Sequence, residues 1–233
     1  VIALTGTPIP NRPEDIYTVA ELVQYGLFQN RFEFRKRYCG LHHNGFGFVN
    51  GDPTNIDELF EKLQTIMLRR LKKDVLTELP DKRRIVVPMT LENRDDYNEV
   101  ESNLIKWLSD NGKNIKRVNA LTKIEYLKQV CVENKINFCV EWIEDYLEQN
   151  EAVVIFCVHK KVVSALREKL KKHGVSVVDG STKDRDKEVY NFMQGENSVF
   201  IGNIQAAGTG LTLTKAHATV FVELAWTSGE HDQ

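Results

Sequence analysis

Residues 152–158 read AVVIFCV, seven apolar residues followed at once by His159-Lys160-Lys161. A run this short, rich in β-branched side chains and closed by charges, predicts a strand buried on both faces. Working outward, Lys160 to His173 predicts a helix and VSVV (175–178) a second strand. Thr182 to Gln194 predicts a helix ended by Gly195, SVFIG (198–202) a strand, and ATVFVEL (218–224) another. Buried strands separated by helices predict an α/β fold: a parallel sheet with helices on both faces. Ligands on such sheets meet the carboxyl ends of the strands. The loops that follow are HKK (159–161), DGST (179–182), NIQAAGTGLT (203–212) and AWTSGEHDQ (225–233), and three are rich in residues able to hold phosphates.

Before that sheet the pattern is more helical. VIALTGTPIPN (1–11) predicts a short buried strand running into a turn. A helix should follow, with Asn11 as cap, Pro13 in its first turn and Glu14 and Asp15 at its positive end, burying Ile16, Val19, Ala20 and Val23. A second helix should carry Phe32, Phe34 and Tyr38. A glycine-rich loop spans 40–53, and Thr54 or Asn55 should cap a third helix with the stripe Leu59, Phe60, Leu63, Ile66 and Met67. LRRLKKDVLTELPDKRR (68–84) is a basic connector broken by Pro80, which divides the chain into 1–80 and 81–233. Ile85 to Met89 predicts a strand, and 92–150 is helical with an interruption near Gly112, its last face formed by Ile136, Cys139, Val140, Ile143 and Leu147.

Composition narrows the function classes. Of 233 residues, 42% are hydrophobic and 27% charged, an ordinary globular balance. Lys plus Arg (31) nearly cancels Asp plus Glu (33), which excludes a coat of nucleic acid held by bulk charge. No apolar run approaches the ~18 residues of a membrane span, and no basic-then-apolar leader is present. Cys39, Cys131, Cys139 and Cys157 are irregularly spaced, as expected of reduced thiols in an intracellular protein. Cys39, His42 and His43 lack a fourth metal ligand at suitable spacing. The start at Val1, inside a strand-like run, reads as a piece of a longer polypeptide.

Each short segment has two readings. LTGTP (4–8) brings two hydroxyls and a glycine to a strand end, for a phosphate or simply for a turn. Gly208 and Gly210 permit close backbone approach, with Thr209, Thr212 and Thr214 as hydroxyl donors, although a plain βα turn explains them equally. DGST serves as a phosphate clamp, or as a turn whose Ser181 or Thr182 caps the next helix. Basic clusters taken singly are solvated faces; His159 and Lys160 differ because they directly follow a buried strand.

In order along the chain, LTGTPIPNRPEDIY, FRKRYCG, IMLRRLKKDVLTELPDKRR, VVIFCVHKK, VDGST and GTGLTLTKAHATVFVELAWTSG resemble the Swi/Snf family of DNA-dependent ATPases. Within it they are most similar to the annealing-helicase branch, from the third motif to the start of the sixth. The resemblance implies two RecA-like lobes: the end of the first with its helical insertion at 1–80, the second with a helical protrusion at 81–233, truncated at its end. It also implies ATP and Mg2+ as cofactors, duplex or forked DNA and the rest of the motor as partners, and no membrane. The site of action is then the cytoplasm in a bacterial or phage setting and the nucleus in a eukaryote.

By the same resemblance Thr5, Gly6 and Thr7 match the motif that couples nucleotide state to DNA contact. Arg69, Arg70 and Lys72 match the basic block linking the lobes. His159 and Lys160 match the fourth motif, and Gly180, Ser181 and Thr182 the clamp on DNA phosphates. Gly208, Gly210, Leu211 and Thr212 match the fifth motif, facing nucleotide and DNA. Trp226 matches the tryptophan ahead of the sixth motif, and Gln233 that motif's first, nucleotide-facing residue. RYC before a glycine-rich turn is an ordinary part of the branch, which removes the zinc reading and leaves no metal ligands here.

Thr227-Ser228 depart from the Asn-Pro of many relatives, and Glu223 stands where many carry Asp. The 233 residues contain no G-x-x-x-x-G-K-[ST] run and no strand-borne Asp-Glu pair, and they stop before the sixth motif's arginines. Alone, the chain should not turn over ATP. Two other readings remain: a catalytically inactive nucleic-acid-binding module of the same fold, and a dinucleotide enzyme. The second lacks the third glycine of its fingerprint.

Overall fold

A computed structural model describes residues 1–76, 78, 81–91, 94–110, 120–227 and 231. The chain forms two compact units, Val1–Ile85 with Trp226–Gln233, and Val86–Ala225.

In the first unit, helices α1 (Asp15–Val23), α2 (Arg31–Tyr38) and α3 (Ile56–Gln64) enclose a core of Ile16, Ala20, Phe28, Phe34, Tyr38, Leu59 and Leu63. Between α2 and α3 lies a small antiparallel hairpin of β1 (His42–His43) and β2 (Phe48–Val49), and a short α4 (Lys72–Val75) follows. Phe28 meets Phe34 edge-on with centroids 4.7 Å apart, so aromatic packing fastens α2 to the core. Phe60, expected in the apolar stripe of α3, points to solvent instead, and Phe32 of α2 is exposed as well.

The caps differ from the sequence reading. Asp15 accepts the backbone N–H groups of Asn11 and Arg12 at 2.9 and 2.8 Å, so the acid, not Asn11, organises the start of α1. Neither the Thr54 nor the Asn55 side chain caps α3. Both side chains donate to the Arg37 carbonyl, at 2.7 and 2.8 Å, tying the end of α2 to the start of α3. Nor is VIALTG a strand: Leu4 is 93% exposed, and among the described residues no strand runs beside it to complete a ladder. Ile85 to Met89 is likewise irregular and outward-facing at Ile85 and Val86, for the same reason. An unpaired segment has no ladder to bury its amides, and apolar pattern alone does not supply one.

Glu58 is the electrostatic centre of this unit. It receives the Arg37 guanidinium, the Tyr38 hydroxyl (2.8 Å) and the Lys62 ammonium (3.4 Å). The Arg37 and Tyr38 hydrogen bonds hold its carboxyl down to about 2, against an ordinary 4.5. The folded state binds this proton less readily than the unfolded chain, so its stabilising contribution is complete above the ordinary value and lost as pH falls towards about 2. Glu58→Gln should therefore flatten the acid limb of stability; urea titrations with the same acid slope in both proteins would overturn this.

The second unit holds the sheet. Helices α5 (Arg94–Asp110) and α6 (Ala120–Gln149) pack through Tyr97, Val100, Leu104, Tyr126 and Val130. A break at Asn103 interrupts α5, and the Asn103 side chain caps the restart by accepting from Lys106 N–H at 3.1 Å. The expected interruption at Gly112 lies outside the described residues. Then come β3 (Val153–Cys157), α7 (Lys160–Leu170) with a 3-10 turn to His173, β4 (Val175–Val178), α8 (Arg185–Gln194), β5 (Val199–Asn203), α9 (Ile204–Ala207) and β6 (Thr219–Phe221). All pairings are parallel, in the order β4-β5-β3-β6.

Alternation divides the strands between two cores, as a pleated sheet requires. Val153, Ile155, Cys157, Val199 and Ile201 pack under α6 and α7. Val154, Phe200 and Val178 pack with Phe192 of α8 and Ala207 of α9 on the other face. Gly202 belongs to this close packing: a Cβ there would stand 2.8 Å from the Phe156 ring and 2.9 Å from Ala207. The expected α/β sheet with helices on both faces is present. Among the described residues no helix is long and apolar enough to cross a membrane.

Candidate functional site

In the second unit the carboxyl edge of the sheet gathers the loops after β3, β4 and β5, with Glu223 just past β6. The loop after β3 is held by a carboxylate from the end of β6. Glu223 is only 3% exposed and accepts both the Val158 and His159 backbone N–H groups at 2.8 Å through Oε2. Its Oε1 takes the His159 Nδ1 proton at 2.5 Å, while His159 Nε2 donates to Glu125 of α6 at 2.7 Å. Burial pulls the His159 pKa down, but the hydrogen bond and charge of Glu223, reinforced by Glu125, outweigh it and raise it above the ordinary 6.5. With both ring nitrogens donating to carboxylates, His159 is the fixing pin of the loop. Asn203, at the end of β5, adds a second pin: its amide donates to the Val158 carbonyl at 2.6 Å while its oxygen caps α9 through Gln205 N–H. This leaves Lys160 exposed at the first position of α7, where a helix start favours anions.

The loop after β4 is closed on itself. Asp179 Oδ1 accepts the Ser181 N–H (2.7 Å) and hydroxyl (2.6 Å), and the Thr182 hydroxyl accepts Asp179 N–H at 2.9 Å and donates to the Val177 carbonyl. These Ser181 bonds hold the Asp179 carboxyl below the usual carboxylate range. Ser181 and Thr182 therefore shape the turn and do not cap the helix; α8 begins only at Arg185, capped by Asp184, which accepts Lys187 N–H at 3.0 Å. Ser181 and Thr182 also line a cavity of about 350 Å³ in which Arg167, Lys183 and Lys187 are balanced by Asp179, Asp184 and Glu188. Gly180 is exposed, with open space where a Cβ would stand.

After β5, Gly208 ends α9, where a Cβ would lie 2.5 Å from the Ile204 carbonyl oxygen. Gly210 adopts φ +77°, a left-handed conformation that suits glycine. Leu211 and Leu213 then pack on the core while Thr212 and Thr214 face solvent. Alternation thus presents the hydroxyls from an anchored segment.

The other expected residues are not gathered at this edge within the same unit. Thr5 and Gly6 are exposed, and the Thr5 hydroxyl accepts Thr7 N–H at 3.1 Å. Arg69 and Arg70 are exposed, Lys72 opens α4, and Trp226 is 61% exposed. Gln233 lies outside the described residues. Among the described residues no three His, Cys, Asp or Glu side chains converge as a metal site, and His42 and His43 bond locally to Gly40 and Gly45. Sequence reasoning missed Asn203 and Glu125, and saw Glu223 only as a departure. Glu223 was detectable as an acid closing an apolar strand, as Asp179 is after β4; Glu125, on a distant helix, gave no local signal.

Comparison with known proteins identifies the arrangement. A family model described as the SNF2-related domain matches residues 1–136, and the helicase conserved C-terminal domain matches 134–233. The chain is 32% identical to the SWI/SNF-related matrix-associated actin-dependent regulator of chromatin subfamily A-like protein 1 of Xenopus tropicalis, over 98% of this chain and 25% of that protein. It is also 32% identical to the DNA annealing helicase and endonuclease ZRANB3 of Bos taurus, over 100% of this chain and 23% of that protein. It therefore spans about a quarter of the length of these curated relatives. A solved structure of the C-terminal part of the Fun30 ATPase domain is similar at 19% identity and TM-score 0.39, covering 58% of this chain and 41% of that one. By the family match over residues 1–136, more than half of its length, the chain belongs to the SNF2-related family.

Proposed function

We propose that this chain is the C-terminal motor portion of an ATP-dependent DNA translocase of the annealing-helicase kind, acting on duplex or forked DNA. The observation that carries the reading is the edge of the parallel sheet, where Glu223 and Asn203 pin the loop that presents Lys160. In this reading Lys160 and the first turn of α7 take a backbone phosphate. Gly180, Ser181 and Thr182 take a neighbouring phosphate, Thr212 flanks the strand, and Trp226 contributes a further DNA contact. His159 acts through Lys160 by holding the loop.

Thr5, Gly6 and Thr7 serve as the coupling segment, and Arg69, Arg70 and Lys72 as the basic link between lobes, with the domain division near residue 80. The turn at Gly208 and Gly210, open at Gly210, suits one wall of a nucleotide site; Gln233, the other nucleotide-facing candidate, lies outside the described residues. The chain's residues do not fit a complete triphosphate or Mg2+ site, since no P-loop is present and no carboxylate cluster forms among the described residues. ATP, when bound, supplies the hydrolysis that drives movement; this chain's part is to grip DNA and to move with its lobe. Relatives named for chromatin and DNA annealing support a nuclear setting in a eukaryote.

The test is titration of blunt duplex into the chain at several salt concentrations. Binding should weaken steeply with salt, and the double variant Lys160→Ala, Thr182→Ala should weaken it about tenfold with a shallower salt slope. Duplex affinity unchanged in that variant would sink the reading.

A further inference from the structure

The β1–β2 hairpin carries an aromatic group that the sheet-edge site does not use. Phe46, at its tip, is fully exposed; Phe48 is 56% and Phe32 of α2 46% exposed. Phe32 and His43 both meet the Phe48 ring edge-on with centroids 5.3 Å apart. A single exposed phenylalanine needs no explanation, but this cluster is held out by a built framework. The Asn44 side chain accepts Phe46 and Gly47 N–H at 3.0 Å, the His43 ring accepts Gly45 N–H at 3.0 Å, and Asn44 N–H closes the turn on the Gly47 carbonyl. The base is fastened as well, where Gly51 N–H meets the Cys39 and Gly40 carbonyls and Thr54 N–H the Tyr38 carbonyl. The tip is therefore organised before any partner arrives, which lowers the ordering cost of binding.

Charge selects the partner. Residues 31–50 carry Arg31, Arg35, Lys36 and Arg37 against the single acid Glu33; Arg31 and Arg35 pair with Glu14 and Arg37 with Glu58, so these four cations exceed the three acids by one, and Lys36 carries that excess at the surface. Lys36 is exposed one helical turn beyond Phe32, on the same side of α2. Exposed aromatic faces beside cations are what unpaired nucleotides require, bases stacking on rings while phosphates meet ammonium and guanidinium groups. Duplex DNA hides its base faces and offers nothing to such rings. We infer that the Phe46–Phe48 hairpin is a single-strand binding element of the first unit, stacking unpaired bases on residues that the sheet-edge duplex site does not use.

The test uses this chain with a fluorescent dT12 oligonucleotide and, separately, a blunt duplex. Phe46→Ala with Phe48→Ala should weaken dT12 binding by roughly fivefold or more per lost stack and leave duplex binding within twofold. Phe46→Leu, apolar but not aromatic, should also weaken dT12, and Phe46→Trp should restore it. 2-Aminopurine placed in the oligonucleotide should be quenched by the wild type and not by Phe46→Ala. Because Phe46 touches no core, its single variants should melt like the wild type, which keeps the comparison sound. Equal dT12 affinity in Phe46→Ala, or wild-type binding to duplex but not to dT12, would overturn the inference while leaving the sheet-edge reading intact. Full binding in Phe46→Leu would overturn it in favour of an apolar protein partner. Loss of duplex binding in the Lys160 variant bears only on the sheet-edge reading.

Discussion

Glu223→Ala should lower the stability of the sheet-bearing unit by about 3–5 kcal/mol, the cost of removing one side of a buried ion pair. The acid accepts three hydrogen bonds from inside the unit, and a methyl group replaces none of them. Two backbone N–H groups at the end of β3 are left without an acceptor, each costing about 1–3 kcal/mol where water cannot reach. His159 keeps Glu125 but loses its inner anchor. At about 2–4 °C per kcal/mol for a unit of this size, the melting midpoint should fall by roughly 10 °C.

Glu223→Gln separates charge from shape. Its amide oxygen can still accept the two backbone N–H groups, while its NH2 faces Nδ1 and forces that nitrogen to become an acceptor. The raised pKa of His159 should then drop. The sign is fixed by linkage: a raised histidine pKa stabilises most fully below its ordinary value, and the contribution fades as pH rises through the folded value. Wild-type stability should therefore decline on the alkaline side of 6.5, and in the Gln variant the decline should be smaller. Thermal melts across this range, with NMR titration of the imidazole, check both. A Glu223→Ala midpoint within about a degree of wild type would mean that the clamp bears no weight in the fold.

Gly40→Ala should cost the first unit about 3 kcal/mol. Gly40 has φ +56°, where a Cβ meets its own carbonyl at roughly 1–2 kcal/mol. Here that Cβ would also stand 2.3 Å from the Asp52 backbone oxygen, and backbone cannot swing aside as a side chain does. Relief requires the base of the hairpin to open, breaking the bonds from Gly51 N–H to the Cys39 and Gly40 carbonyls. Asn55, at φ 49°, offers an internal contrast: it is a residue that tolerates the left-handed region, and its amide is engaged with Arg37. Asn55→Gly should accordingly be much milder than Gly40→Ala. Urea unfolding followed by a probe in the first unit reads both, and equal midpoints for Gly40→Ala and wild type would defeat the argument.

The sheet was legible because β3 and β5 are buried on both faces and read as apolar runs closed by turns, while the edge strand β4 shows the same apolar bias around Ser176. The same rule failed at VIALTG and at Ile85 to Met89, since apolarity marks a segment that can pair without saying whether a neighbour is there to pair with. Cap residues were legible as types but not as roles. Asn11, Thr54, Asn55, Ser181 and Thr182 all suit helix starts, yet those among them that bond do so across to other elements or inside a turn, because local donors compete with every nearby carbonyl. The phosphate-loop candidates of the second unit were legible as loops after strands. Their support was not: Glu223, Asn203 and Glu125 meet His159 and Val158 only once the sheet is assembled, and long-range hydrogen bonds leave no spacing in the sequence. The aromatic hairpin was hidden for a related reason, since a glycine-rich stretch reads as loop until its own amides are counted.

Helix α6 carries one further consequence. Glu125 near its start touches His159, and Ile143 near its end is buried beneath the sheet. The two are about five turns and about 27 Å apart on one face at 3.6 residues per turn. Val132 and Ile136 fall on the same stripe. The helix thus works as a ruler laid from the core to the carboxyl edge of the sheet, and its information resides in its length. Point changes on its outer face leave the ruler intact. A single inserted or deleted residue between Glu125 and Ile143 turns Glu125 by about 100° and removes it from the histidine, however conservative the new letter. Among descendants of this sequence, drift should be read in letters along α6 and almost never in its residue count.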